Sequence, residues 1–186
     1  MIQFKYFKII ALVFIILGKC LAIDIYIPDG TYKIYNLTEI IKKYSVKSNV
    51  INVHLTDEYF ESDLRYKMGL QIDIPENVDF SLYGKENHGT EVKLGKNGFY
   101  YSINFEKYTG QKITFENIKF VDMQDPSQLN SIFYTRSSSS NFSILFKNCT
   151  YEGGNGRFII IDPENNHIIK NDNNDIQVKF DSCKFK

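Results

Sequence analysis

The chain has 186 residues, with 22 basic and 22 acidic side chains and a formal charge of zero. That balance excludes recruitment of nucleic acid by net charge. The length fits one domain with a sizeable core.

Lys5 and Lys8 precede an apolar run from Ile9 to Gly18, and Cys20-Leu21-Ala22 then places small residues three and one before a cut. The pattern predicts a secretory signal peptide over residues 1–22, a mature chain starting at Ile23, and a secreted, extracellular or cell-surface protein. The apolar run falls short of the roughly 20 residues that span a bilayer, so no membrane span is expected in the mature chain. Lys19 stands where lipid attachment at Cys20 would want a small residue. Cleavage removes three lysines and no acid, leaving 19 basic and 22 acidic groups, a formal charge of −3.

Residues 23–70 read as an N-terminal cap with degenerate first strands. Ile23–Ile27 alternates apolar and polar residues, Pro28-Asp29-Gly30 reads as a tight turn, and Thr31–Ile34 reads as a second strand. Thr38 is placed to cap a short helix through Tyr44, with Ile40, Ile41 and Tyr44 on one face, able to cover the end of a stack. Ile51–Leu55 alternates again. The acidic stretch Asp57, Glu58, Glu61 and Asp63, interrupted by Tyr59 and Phe60, reads as a solvated loop.

Residues 71–186 carry a regular strand signal. It runs through Leu70–Ile74, Val78–Gly84, Val92–Leu94 and Tyr101–Phe105, with Ser131–Thr135 and Arg157–Ile161 further on. Three segments repeat one template: Ile113–Phe120, Ile144–Tyr151 and Val178–Phe185, beginning 31 and 34 residues apart. In each, two apolar pairs alternate with outward residues, and the alternation slips by one residue between the pairs. The chain must therefore turn at Asn117, Asn148 and Ser182. Asn suits such a corner because it visits the left-handed region more readily than other non-glycine residues. A fixed period of this size in strand phrases predicts a solenoid, all-β, with about three short strands per coil. Phe115, Phe146 and Phe180 are expected to stack in its interior, with Asn117, Asn148 and Ser182 stacked at the corner. Val78, 35 residues before Ile113, reads as the start of a degenerate earlier copy that has Leu82 at the corner.

These phrases resemble the right-handed parallel β-helix proteins of the pectin-lyase-like fold, in which an Asn-rich corner separates the second and third strands of each coil. Ile27–Tyr32 is also similar to the opening coil of many such proteins. The resemblance covers about residues 71–186 and implies a right-handed parallel β-helix with a short N-terminal capping helix. Enzymes of that fold use clustered aspartates, a basic residue and sometimes calcium on one sheet face.

This chain has no paired Asp-Asp step on a predicted strand, and Asn87-His88-Gly89 reads as a turn. Asp122 and Asp162 each follow a strand and are the candidate acid and base, against the simpler reading that they solvate strand ends. Asp172–Asp175 lacks the alternate-ligand spacing of a calcium loop, and His54, His88 and His167 are dispersed, so neither a metal nor another cofactor is expected. Cleavage would leave Cys149 and Cys183 as stacked neighbours, with a disulfide and two packed thiols both open. Of three glycosylation sequons, Asn36 and Asn141 are candidates, whereas Asn148 is expected to be engaged at the corner. Val178, Phe180, Cys183 and Phe185 would form a final layer with a neighbour on one side, which makes end-to-end self-association an expectation. The reading favoured is a secreted, non-catalytic β-helix protein of the cell surface or matrix, binding a polysaccharide or a surface protein. The alternative is a polysaccharide lyase or glycoside hydrolase.

Overall fold

The computed structural model describes residues 21–61, 70–93, 101–105, 110–121, 131–137, 141–153, 157–163 and 177–186. The expected signal segment up to Cys20, Asp122, His167 and the Asp172–Asp175 run lie outside the described residues. The alternating phrases form three sheets. The first contains β1 (Ile23–Ile27), β2 (Val50–Leu55), β5 (Asp79–Tyr83), β8 (Gln111–Glu116), β11 (Phe142–Lys147) and β14 (Val178–Asp181), in that order. The second runs from β4 (Leu70–Ile74) through β7 (Tyr101–Phe105) and β10 (Ser131–Ser137) to β13 (Arg157–Pro163). The third runs from β3 (Tyr59–Glu61) through β6 (Thr90–Lys93), β9 (Ile118–Val121) and β12 (Thr150–Glu152) to β15 (Lys184–Phe185). Every pairing among these strands is parallel, and neighbours in a sheet come from successive passes of the chain. This is a β-solenoid with three short strands per coil.

The corner is what lets one chain feed two of these sheets. Asn117, Asn148 and Ser182 have φ values of 58°, 49° and 55°. A left-handed residue there rotates Ile118 and Phe120 inward beside Ile113 and Phe115, and all four are buried. The Asn148 amide nitrogen donates to Asn117 Oδ1 at 2.7 Å, so two corners are linked through their side chains. Ser182 donates instead to Asp181 Oδ1, and the side-chain ladder has two rungs rather than three.

Aromatic rings pile up in register and are buried in the inner coils. Phe180, expected in the interior, and Phe185 are exposed in the last coil, because no coil covers them among the described residues. Phe115 pairs with Phe146 and Phe146 with Phe180 along the strands, and the rings stack with centroids 5.2 and 5.1 Å apart. Phe120, Tyr151 and Phe185 form a second column at 5.2 and 4.9 Å, and Tyr101 stacks on Phe133 at 4.9 Å. Columns meet edge to face, as where Phe133 meets Phe146 at 4.9 Å. Each such ring contributes its buried area plus about 0.5–1.5 kcal/mol from ring–ring geometry.

At the other end the helix α1 (Leu37–Ser45) covers the stack, burying Leu37, Ile40 and Ile41. Thr38 does not cap it. Asn36 precedes the helix and its Oδ1 accepts the Lys33 N–H, while the Thr38 hydroxyl donates to Gln71 O at 2.7 Å and accepts the Asp73 N–H at 3.2 Å. Thr38 thus satisfies the open edge of β4, the end strand of its sheet.

Three local expectations are corrected. Thr31–Ile34 is not a strand: Asp29 Oδ1 accepts the N–H groups of Thr31 and Tyr32 at 2.8 and 2.7 Å, turning the chain into a short 3-10 segment at Ile34–Asn36. The acidic stretch is not all loop, because Tyr59–Glu61 pairs with β6, and Asp57 and Glu58 offer carbonyls to Thr90 and Glu91. The earlier copy is also shifted by two residues. Phe80 pairs with Ile113 and Leu82 with Phe115, so the corner falls at Gly84, whose N–H reaches Glu116 O as the Asn117 N–H reaches Lys147 O. A slip of two keeps every side chain on its face, so alternation is blind to it.

Gly84 stands there for a steric reason: a Cβ would lie 2.0 Å from the carbonyl oxygen of Asn117. Backbone on both sides cannot yield cheaply, so Gly84→Ala is expected to destabilise the fold by about 2 kcal/mol or more. Urea unfolding checks this, and a variant as stable as wild type contradicts the assigned corner.

Candidate functional site

The outward residues of the second sheet form two rows. Alternation sends Leu70, Ile72 and Ile74 of β4 inward and leaves Gln71 and Asp73 outward, and the same parity holds in β7 for Ser102 and Asn104. Register then aligns Asp73, Asn104, Arg136 and Asp162 in one row, with Gln71, Ser102, Tyr134 and Ile160 in the next.

Side chains couple along and between the rows. Asn104 Nδ2 donates to Asp73 Oδ1 at 2.6 Å, and Gln71 Nε2 reaches both Asp73 oxygens at 2.9 Å. At the other end the Tyr134 hydroxyl donates to Asp162 Oδ2, and the Arg136 guanidinium lies 5.3 Å from the Tyr134 ring centroid. Tyr134 faces outward yet is 7% exposed, since this cover shields it. Burial, then the hydrogen bond to Asp162, pushes the Tyr134 phenol above its ordinary range, with Arg136 opposing. The result is a strip about four strands wide, carrying carboxylates toward its two ends and amide, hydroxyl and guanidinium donors between.

Geometry decides what the carboxylates can do. Asp73 and Asp162 stand three strand steps apart, which at about 4.8 Å per step is ~14 Å. Paired carboxylates in glycoside hydrolysis stand about 5–9.5 Å apart, so these two do not form such a pair. The Tyr134 phenol, held protonated, is a poor base near neutral pH. No group of three or more potential metal-ligating side chains occurs among the described residues.

The other sequence-derived positions are scattered. Asp162 belongs to the strip, whereas Asp122 lies outside the described residues. Cys149 and Cys183 are free thiols, each pointing its Sγ at a backbone carbonyl, Phe115 O and Phe146 O respectively, at 3.4 Å. Burial pushes the Cys149 thiol up to about 12, which makes it an inert core group. Asn36 Nδ2 donates to Glu39 at 3.2 Å, while Asn141 is exposed just before β11. Phe180 and Phe185 are 39% and 59% exposed. Strand register, not sequence spacing, brings Asp73, Asn104, Arg136 and Tyr134 together, although three of the four lie within strands that the alternation identifies.

The first and third sheets differ. There, outward lysines pair across strands with acids: Lys147 with Glu116 at 2.8 Å, and Lys119 with Glu91 and Glu152 at 3.0 and 3.3 Å. On the first sheet His54 lies between the rings of Tyr26 and Tyr83, at 4.8 and 5.0 Å, with its Nε2 2.9 Å from Asp24. No helix among the described residues is long and apolar enough to cross a membrane. No protein-family model matches the chain, and no curated protein or solved structure matches it either.

Because Asp162 holds the Tyr134 proton, Asp162→Asn is expected to lower the Tyr134 pKa while burial keeps it above the ordinary value. Carbon-13 NMR of labelled tyrosine, with the resonance assigned by Tyr134→Phe, measures the shift. An unchanged titration contradicts the coupling.

Proposed function

We propose that this is a secreted, non-catalytic β-helix protein of the cell surface or extracellular matrix, whose second sheet binds a hydroxyl-rich glycan chain along the strip from Asp73 to Asp162. The observation that carries this reading is the row Asp73, Asn104, Arg136 and Asp162, with Gln71 and Tyr134 beside it. A polyol chain presents alternating donors and acceptors, and a row of carboxylates, amides and a guanidinium answers both. The ~14 Å between carboxylates and the protonated phenol support binding without cleavage. Secretion rests on the charged start, apolar run and small residues of the N-terminal sequence. The right hand follows from the general preference of parallel crossover connections.

A polysaccharide lyase or glycoside hydrolase is the second reading. The grouping of Asp162, Tyr134 and Arg136 favours it, because a carboxylate and a phenol that share a proton beside a cation supply an acid for a leaving oxygen.

Affinity electrophoresis of the secreted protein through gels containing soluble pectic, xylan and glucan polymers tests the proposal. Retardation by at least one polymer is expected, reduced about tenfold or more in affinity by the pair Asn104→Ala and Arg136→Ala, with no new reducing ends or unsaturated products. Retardation by none contradicts the binding reading, and product formation lost in the same variant establishes the enzyme instead.

A further inference from the structure

Two sets of lysines among the described residues differ in what they meet. On the sheet faces and their connecting turns, Lys85, Lys112, Lys119 and Lys147 each lie within 4.0 Å of a carboxylate. Around α1, Lys33, Lys42, Lys43 and Lys47 make no ion pair with a carboxylate among the described residues. Three of these four lie over tyrosine rings instead. Lys43 Nζ is 5.0 Å from the Tyr32 centroid and 5.4 Å from that of Tyr44, Lys47 is 5.7 Å from Tyr44, and Lys33 is 5.9 Å from Tyr35. Lys43 also donates to the Tyr32 hydroxyl at 2.5 Å.

The two nearby acids bond neutral groups, and each also feels the charge of Lys43. Asp29 accepts the N–H groups of Thr31 and Tyr32, which hold its carboxyl below the usual range, and Glu39 accepts from Asn36. Against these two carboxylates the four lysines leave a local excess of two positive charges in a chain with no net excess. The helix dipole accounts for part of this, since Lys42 and Lys43 stand in the last turn of α1, where a cation is favoured. It does not account for Lys33, which precedes the helix, at the end where a cation is disfavoured.

We infer that the exposed side of α1 and the segment leading into it form a second binding surface, for an anionic polysaccharide bearing carboxylate or sulfate groups. Ammonium groups held over aromatic faces keep their charge while losing some side-chain freedom, which lowers the ordering cost of meeting an anion. A bilayer is the poorer partner. The apolar side of α1, Leu37, Ile40 and Ile41, is fully buried against the solenoid, which leaves no apolar face for the helix to insert. This surface is independent of the strip on the second sheet.

The test is binding of the secreted chain to heparin and to polygalacturonate, by calorimetry at low and at physiological ionic strength. Parallel arms use neutral dextran, vesicles with anionic lipid, and duplex DNA. Wild type is expected to bind the acidic polymers in a salt-sensitive manner. The triple variant Lys33→Gln, Lys42→Gln, Lys47→Gln is expected to lose at least tenfold in affinity with an unchanged melting temperature. Lys43 is left intact because it bonds Tyr32. Arg136→Ala on the second sheet is expected to leave this binding unaltered, which separates the two surfaces. Equal affinity of the triple variant overturns the inference, as does wild type binding vesicles or DNA more tightly than the acidic polysaccharides.

Discussion

From the coil of Asn117 onward the structure depends on one backbone constraint, a left-handed residue at the corner between the first and third sheets. A strand segment with strict alternation can present one apolar set to one side. To bring Ile113 and Phe115 and then Ile118 and Phe120 to the same interior, the chain must break parity, and it does so at Asn117 with φ of 58°. A left-handed conformation costs a non-glycine residue roughly 1–2 kcal/mol, with Asn among the residues that tolerate it best. The return is a layer of buried apolar side chains at about 1.5–3 kcal/mol each. The amide link from Asn148 to Asn117 adds a polar contact that joins two coils at the corner.

That corner also governs the surface. Once coils are in register, an outward residue in one strand acquires a neighbour from the next pass of the chain, so surface chemistry is written in rows perpendicular to the strands. On the first sheet charge alternates along the row Glu116, Lys147 and Asp181, and on the third Lys119 pairs with Glu91 in its own row and with Glu152 on the diagonal. On the second sheet the row is Asp73, Asn104, Arg136 and Asp162, with polar contacts that tie each end together. The helix end is different again, because there the lysines meet aromatic rings rather than acids.

Much of this architecture is legible in residues alone. The template with its slip at Asn117 and Asn148 specifies the corner, and Leu70–Ile74 and Tyr101–Phe105 coincide with β4 and β7. What escapes does so for physical reasons. A two-residue shift preserves parity, so Val78 reads as the partner of Ile113 until the steric need for Gly84 is seen. Three residues are too few to display alternation, which hides Tyr59–Glu61. Thr38 looks like a cap because hydroxyls usually bond locally, yet here β4 offers a nearer unsatisfied edge. The strip is hidden more deeply, since its members are brought together by strand register and have no motif spacing. Arg136 and Asp162 lie one position past the strands read as Ser131–Thr135 and Arg157–Ile161; extending both by one residue and aligning their inward sides with those of β4 and β7 would have assembled the row.

The central claim is that successive coils stack in parallel register about one corner, and the outward pair Thr114 and Leu145 reports on it directly because register sets them side by side. Nitroxide labels on Thr114→Cys and Leu145→Cys, with Cys149 and Cys183 replaced by alanine, would then attach to backbones about 4.8 Å apart. Continuous-wave electron paramagnetic resonance is predicted to show strong dipolar broadening in the double-labelled protein and none in either single-labelled control. A double-labelled spectrum equal to the sum of the two singles, in protein that melts like wild type, would contradict the stacked register on which the strip of the second sheet depends.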